Sequence, residues 1–234
     1  MLSEVIPAIM PASYRDLAEK AERVLGFVSC VQIDVMDGRF VPSVDWPYTS
    51  EDARREFDEI VHASRPLPFA DKLEYEVDLM VADPERSLAD WVRAGVKRII
   101  VHIESSTYIA AALMRGRAAA EEHGTRVEFG LALNITTDIA VLEPYLTHID
   151  FVQFMGIEKI GYQGQPFDER VLGKIHDLRE QRPGVIISVD GGVNFDTAPL
   201  LIKAGANRLV SGSIIFESED IRASIEKLQV SAKS

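Results

Sequence analysis

Apolar and polar positions along this chain follow two rhythms. Short runs, apolar nearly throughout, recur from Val5 to Met10, Val28 to Met36, Leu73 to Val81, Arg98 to Ile103, Val127 to Leu133, Ile149 to Met155, Val185 to Val189 and Arg208 to Ser211. Between them lie stretches with helical spacing: Leu17 to Leu25, Ser50 to Ala63, Pro84 to Arg93, Ser106 to His123, Asp168 to Gln181, Thr197 to Ala204 and Glu219 to Leu228. A further short helix is expected before Pro144. A strand covered on both faces is apolar along its length, as parallel strands beneath a helical layer are. Ser50 is placed to cap its helix, Pro84 suits a first helical turn, and Gly124 suits a helix end. Eight strands, each followed by a helix, predict one α/β domain, a closed (β/α)8 TIM barrel rather than an open doubly wound sheet.

Such barrels of about 250 residues fold as one unit, so the 234 residues are expected to form a single domain, 1–234. With 47% hydrophobic and 26% charged residues the chain has ample material for a core, which excludes wholesale disorder. Asp and Glu number 37 against 25 Lys and Arg, for a net charge of −12. A surface this acidic repels nucleic acid and anionic membranes, so neither is an expected partner. A small phosphorylated ligand stays compatible, because backbone N–H groups bind one phosphate locally. The one cysteine, Cys30, has no second thiol to pair with inside the chain, which suits a reducing compartment. No apolar run nears the ~18 residues of a membrane span. Met1-Leu2-Ser3-Glu4 lacks the stretches of a signal peptide, so a cytoplasmic location is expected.

Active sites of closed α/β barrels lie at the C-terminal ends of the strands. Alternation puts Gln32, Asp34 and Met36 on one side of the second strand, and the third offers Glu76, Asp78 and Met80. The seventh strand ends Val189-Asp190-Gly191-Gly192, and the eighth ends Ser211-Gly212-Ser213. Loops after strands seven and eight, opened by glycine, hold a phosphate in many barrels of this kind. Gly191, Gly192, Gly212 and Ser213 are therefore the expected phosphate-binding residues. Asp34, Asp78 and Asp190 end different strands, and the ends of strands two, three and seven carry no basic residue to pair with them. Three converging acids need a cation or shared protons. Met10, Met36, Met80 and Met155 are expected to form a soft apolar wall of the pocket. His102 is expected to be a hydrogen-bonded core histidine, and His62, His123, His148 and His176 to lie on the surface. The stretch from Arg39 to Thr49, with Val44 to Tyr48 at its heart, is expected to serve as a lid or an interface.

These motifs resemble the ribulose-phosphate 3-epimerase family, over nearly the whole chain from Pro7 to Phe216. The resemblance rests on Asp34-Val-Met-Asp-Gly38 with Phe40-Val41-Pro42, Asp83-Pro-Glu-Arg86, Val189-Asp-Gly-Gly192, and Gly212-Ser213 before Ile215-Phe216. Gly161-Tyr-Gln-Gly-Gln165 is similar to that family's mobile loop after strand six, which adds Gly164 to the expected phosphate site. The resemblance implies a barrel of the ribulose-phosphate-binding type that inverts C3 of a pentulose 5-phosphate. It implies that Asp34 and Asp190 act as acid and base through an enediolate on a metal ion. It also implies a small phosphorylated sugar as ligand and a homo-oligomer.

The chain departs from that pattern. Gln32 and Asp78 stand where the family has two metal-binding histidines, and Ala8 and Pro11 where it has serines. One extra residue falls near Glu158-Lys159-Ile160, and the segment between strands two and three is longer. Gln32, Asp34, Asp78 and Asp190 would form an all-oxygen set, which favours magnesium or manganese over zinc. The departures leave two alternatives: a phosphosugar lyase, decarboxylase or isomerase working without metal, or a non-catalytic sugar-phosphate-binding barrel.

Overall fold

A computed structural model describes residues 3–231. Met1, Leu2 and residues 232–234, included in the N-terminal reading and in the expected range 1–234, lie outside the described residues. Eight parallel strands follow one another around a closed barrel. They are β1 (Glu4–Ile9), β2 (Cys30–Met36), β3 (Glu74–Met80), β4 (Arg98–His102), β5 (Glu128–Leu133), β6 (Phe151–Met155), β7 (Ile186–Asp190) and β8 (Arg208–Ser211). The helices are α1 (Tyr14–Glu22), α2 (Glu51–Val61), α3 (Leu88–Arg93), α4 (Ile109–Glu122), α5 (Arg170–Gln181), α6 (Thr197–Ala204), α7 (Ser213–Phe216) and α8 (Ile221–Ser231). Each expected strand is present, with ends shifted by two residues at most.

The helices depart further from expectation. No α-helix follows β5, only a single 3-10 turn at Ile139–Leu142. The stretch from Pro84 divides into a 3-10 turn, Pro84–Arg86, and α3. α1 starts three residues early because the Ser13 hydroxyl caps it, accepting from Asp16 N at 3.1 Å. The four-residue α7 has no counterpart in the apolar pattern, because one turn is too short to show a period. No helix among the described residues is long and apolar enough to cross a membrane.

Contacts divide the chain into two compact units. One, Ala8–Phe129, holds the end of β1, β2 to β4, and α1 to α4. Its outer layer is built on Trp46, Phe57 and Trp91, all fully buried. The Trp46 ring stands 5.5 Å from Phe57 and 6.1 Å from Trp91, both edge-on. Trp46 belongs to the long segment after β2, and its N–H donates to Pro11 O at 2.8 Å. The expected interface from Val44 to Tyr48 is thereby corrected: Trp46 and Pro47 are spent on the chain's own core, and only Val44 is exposed.

The other unit, Met1–Pro7 with Gly130–Ser234, holds the start of β1, β5 to β8, and α5 to α8. Arg179 on α5 ties its joints together. The guanidinium donates to Val185 O at 2.7 Å, to Gly205 O at 2.8 Å and to Asn207 Oδ1 at 2.7 Å. Val185 and Gly205 lie at joints between elements, so one half-buried cation satisfies carbonyls that the helices and strands leave unpaired there.

Candidate active site

Within the unit Ala8–Phe129, strand register stacks the inward side chains in layers. Gln32 pairs with Glu76 and Glu76 with Arg98; one layer on, Asp34 pairs with Asp78 and Asp78 with Ile100. Met36 and Met80 pair beyond them. Asp34 is 6% exposed and Asp78 is 0% exposed, so two carboxylates lie side by side out of water. Like charges directly opposite repel, and each acid here has its own partner. Gln32 Nε2 donates to Asp34 Oδ1 at 2.8 Å. His102 Nε2 lies 3.2 Å from Asp78 Oδ1. Glu76, one layer down, is paired with Arg98 Nη1 at 3.0 Å and belongs to the closed end of the stack.

The ends of strands two, three and seven carry no basic residue, and the imidazole beside Asp78 lies elsewhere. The partner of Asp78 comes from the neighbouring strand β4, which a search of strands two, three and seven overlooks. His102 is buried as expected, while the other four histidines are exposed. The loop after β2 is tied down by Asp37. Its Oδ1 accepts from Arg39 N and Phe40 N, and its Oδ2 accepts from Ala82 N at 3.0 Å. Asp37 thus couples the loops after β2 and β3, and the Asp-Gly pair was its signal in the sequence. Met10 is half-buried at the end of β1, where its carbonyl accepts from Lys20 Nζ at 2.9 Å. Ala8 is buried, and Pro11 gives its carbonyl to Trp46, so neither position offers a hydroxyl.

In the second unit Asp190 ends β7, in register with Met155 and Val210. The layer beneath it holds Gln153, Ser188 and Arg208, with the Ser188 hydroxyl donating to Gln153 Oε1 at 3.1 Å. After Asp190 the chain turns through Gly191 at φ +89° and Gly192 at φ +70°, the left-handed region that favours glycine. A Cβ on Gly192 would stand 2.8 Å from Phe167 Cα. Thr197 Oγ1 donates to Gly192 O at 2.8 Å, and Asn194 Oδ1 accepts from the amides of Asp196 and Thr197, starting α6. Ser211 Oγ donates to Val193 O at 3.0 Å, linking the loop after β7 to the end of β8. Gly212 and Ser213 open α7.

Gly156, not singled out from the sequence, closes the turn after β6. Its N–H donates to Asp190 O at 2.7 Å, and a Cβ there would meet Gly191 O at 2.4 Å. A lone glycine after Met155 was the only signal. Gly164 has φ +69° at the exposed tip of the next loop, with nothing within 4 Å of a Cβ built on it.

A closed parallel barrel with acids on its strand ends, and glycine turns after strands seven and eight, is the framework of a TIM-barrel enzyme. The chain belongs to the Ribulose-phosphate 3 epimerase family, whose model matches residues 4–216. It is 33% identical over 232 residues to ribulose-phosphate 3-epimerase of Bacillus subtilis (strain 168), covering 97% of this chain and 98% of that one. It is 32% identical to the chloroplastic ribulose-5-phosphate-3-epimerase of Arabidopsis thaliana, covering 98% of this chain and 77% of the relative. Among solved structures, KGPDC from Streptococcus mutans superposes with a TM-score of 0.71 at 16% identity, covering 100% of this chain and 98% of the other. That likeness is one of fold.

Proposed function

We propose that this protein epimerises C3 of a pentulose 5-phosphate by proton transfer between Asp34 and Asp190. The observation that carries the reading is Asp34 itself. It is a buried carboxylate at the end of β2, with one oxygen held by the Gln32 amide, in a chain of this family. One aspartate removes the proton from C3, next to the carbonyl, and leaves an enediolate. The other, protonated, delivers a proton to the opposite face, so the centre inverts and the two aspartates exchange roles. Loop amides at Gly191, Gly192, Gly212 and Ser213, with Gly164, are proposed to hold the phosphate, and Met10, Met36, Met80 and Met155 to wall the sugar.

The donor set fits a divalent cation. Asp34, Asp78 and Asp190 are three carboxylates of the kind that hold a metal ion, and the buried pair Asp34 and Asp78 calls for positive charge. With Gln32 Nε2 given to Asp34, the amide oxygen completes an oxygen set suited to magnesium or manganese. A cation there would supply Lewis-acid stabilisation of the enediolate charge. The reading also carries a cytoplasmic homo-oligomer. The single buried thiol supports the compartment, and light scattering tests the assembly.

The test is deuterium exchange from solvent into C3 of ribulose 5-phosphate, with and without Mn²⁺. Wild type exchanges and inverts. Asp190→Asn is expected to abolish exchange while keeping affinity for the sugar phosphate within about tenfold. Unaltered exchange in Asp190→Asn removes that residue from the acid/base pair, and no exchange by wild type under either condition overturns the reading.

A further inference from the structure

Each inward carboxylate on β2 and β3 has a different kind of partner. Glu76 has a guanidinium, Asp34 an amide, and Asp78 an imidazole. His102 lies two residues beyond Ile100, the register partner of Asp78, so its side chain leaves β4 on the same face as Asp78. Both side chains are 0% exposed, and Nε2 and Oδ1 are 3.2 Å apart. The other nitrogen, Nδ1, lies 3.9 Å from Glu104 Oε2. The ring also packs against Phe40, centroid to centroid 5.4 Å, from the loop that Asp37 anchors. An imidazole with a carboxylate at each nitrogen and an aromatic ring at its side has little freedom to turn.

We infer that His102 is a positioning residue for Asp78. Its ring lies against Oδ1 and restrains the carboxylate, so that the other oxygen is left for a cation. The inference rests on the cation site proposed above and concerns how this chain builds it. The ring nitrogen stands 3.2 Å from Oδ1 of a carboxylate that already has Asp34 beside it. A carboxylate fixed at one oxygen also loses less rotational freedom when it takes a cation. Groups that orient a ligand in this way typically change metal affinity 10–100-fold when removed.

The experiment is calorimetric titration of Mn²⁺ into metal-stripped protein. His102→Leu is expected to weaken Mn²⁺ binding about 10–100-fold. His102→Gln, whose amide reaches the place of Nε2, is expected to stay within about threefold of wild type. In an Asp78→Asn background, His102→Leu should make no further difference to Mn²⁺, whereas a merely structural role would lower affinity equally in both backgrounds. A second measurement needs no variant: with ¹⁵N-labelled histidine, Mg²⁺ should shift the His102 ring resonances and leave those of the four exposed histidines in place. If His102→Leu fails to fold, this measurement decides. Wild-type affinity in His102→Leu, equal losses in both backgrounds, absence of Mn²⁺ binding by wild type, or an unmoved His102 signal each overturns the inference. Deuterium exchange reads the proposed activity separately. Exchange with no role for His102 sinks the inference alone, and His102-dependent Mn²⁺ binding without exchange sinks the activity alone.

Discussion

Asp45 lies in the segment that follows β2, and its Oδ2 has no hydrogen-bond partner among the described residues. Burial pushes its pKa up to about 6, against the pull of Lys20 and with the repulsion of Asp16. In the unfolded chain the same group titrates near 3.9. Between those values the folded protein binds more protons than the unfolded one, so stability falls as pH rises through this window. The penalty is complete above about pH 6 and absent below about pH 4. Asp45→Asn is therefore expected to stabilise the protein at about pH 8 by roughly 1–2 kcal/mol, after discounting for solvent screening of a half-buried group. Urea unfolding at about pH 8 and about pH 4 checks it; an equal gain at both assigns the effect to something other than charge. Nothing in the sequence marks Asp45, which reads as an ordinary loop acid. It is half-buried because Trp46, the next residue, is drawn into the aromatic cluster, while its own N–H donates to Met36 O at 3.1 Å.

At the scale of elements, the β3–β4 pair shows how register distributes charge. Glu76 and Arg98 are register partners, 1% and 12% exposed at their side chains, with Glu128 Oε2 a further 3.7 Å from Arg98 Nε. Removing one member of a buried ion pair leaves the other charge uncompensated, at a cost of about 3–5 kcal/mol. Arg98→Met is expected to lose that much in denaturant unfolding, and Glu76→Gln in the same chain to recover most of it. A double variant no more stable than Arg98→Met would mean that Glu76 is not the group left stranded. Both residues were legible as strand residues, and neither as half of a pair, because pairing depends on the offset between two strands 22 residues apart in the chain. The same limit explains His102. Its burial follows from the apolar run Ile99 to Val101, but its place beside Asp78 does not. The short helix before Pro144 stops at the 3-10 turn Ile139–Leu142 for a local reason: Pro144 has no N–H to continue a helix, and its ring crowds the preceding turn.

For the whole molecule, the net charge of −12 and the proposed cation site predict opposite responses to salt and to metal. General screening relieves repulsion across the acidic surface, whereas a specific site responds to the divalent ion alone. Mn²⁺ at about a hundred times its Kd is expected to add roughly 2.7 kcal/mol, well beyond NaCl of equal ionic strength, when melting curves are compared. Untagged protein prepared without chelator is expected to retain no stoichiometric zinc, since the proposed donor set offers oxygen only. Zinc held at this site, or equal shifts from Mn²⁺ and NaCl, would sink the oxygen-only cation site.

The sequence by itself determined the eight-strand barrel, the strand ends and the chemistry available at them. Strand burial and alternation are local properties, written in runs of four to seven residues. It also carried the family, since Asp34-Val-Met-Asp-Gly38 and Val189-Asp-Gly-Gly192 are contiguous motifs. Only the tertiary structure decided which side chains answer each acid. Gln32 reaches Asp34 within one strand, but Arg98 reaches Glu76 and His102 reaches Asp78 across a ladder. It also decided that Trp46 is core and that Asp45 is drawn partly inward with it. Partnership and burial belong to the packing of distant segments, and no periodicity along a chain encodes which neighbour another strand will bring.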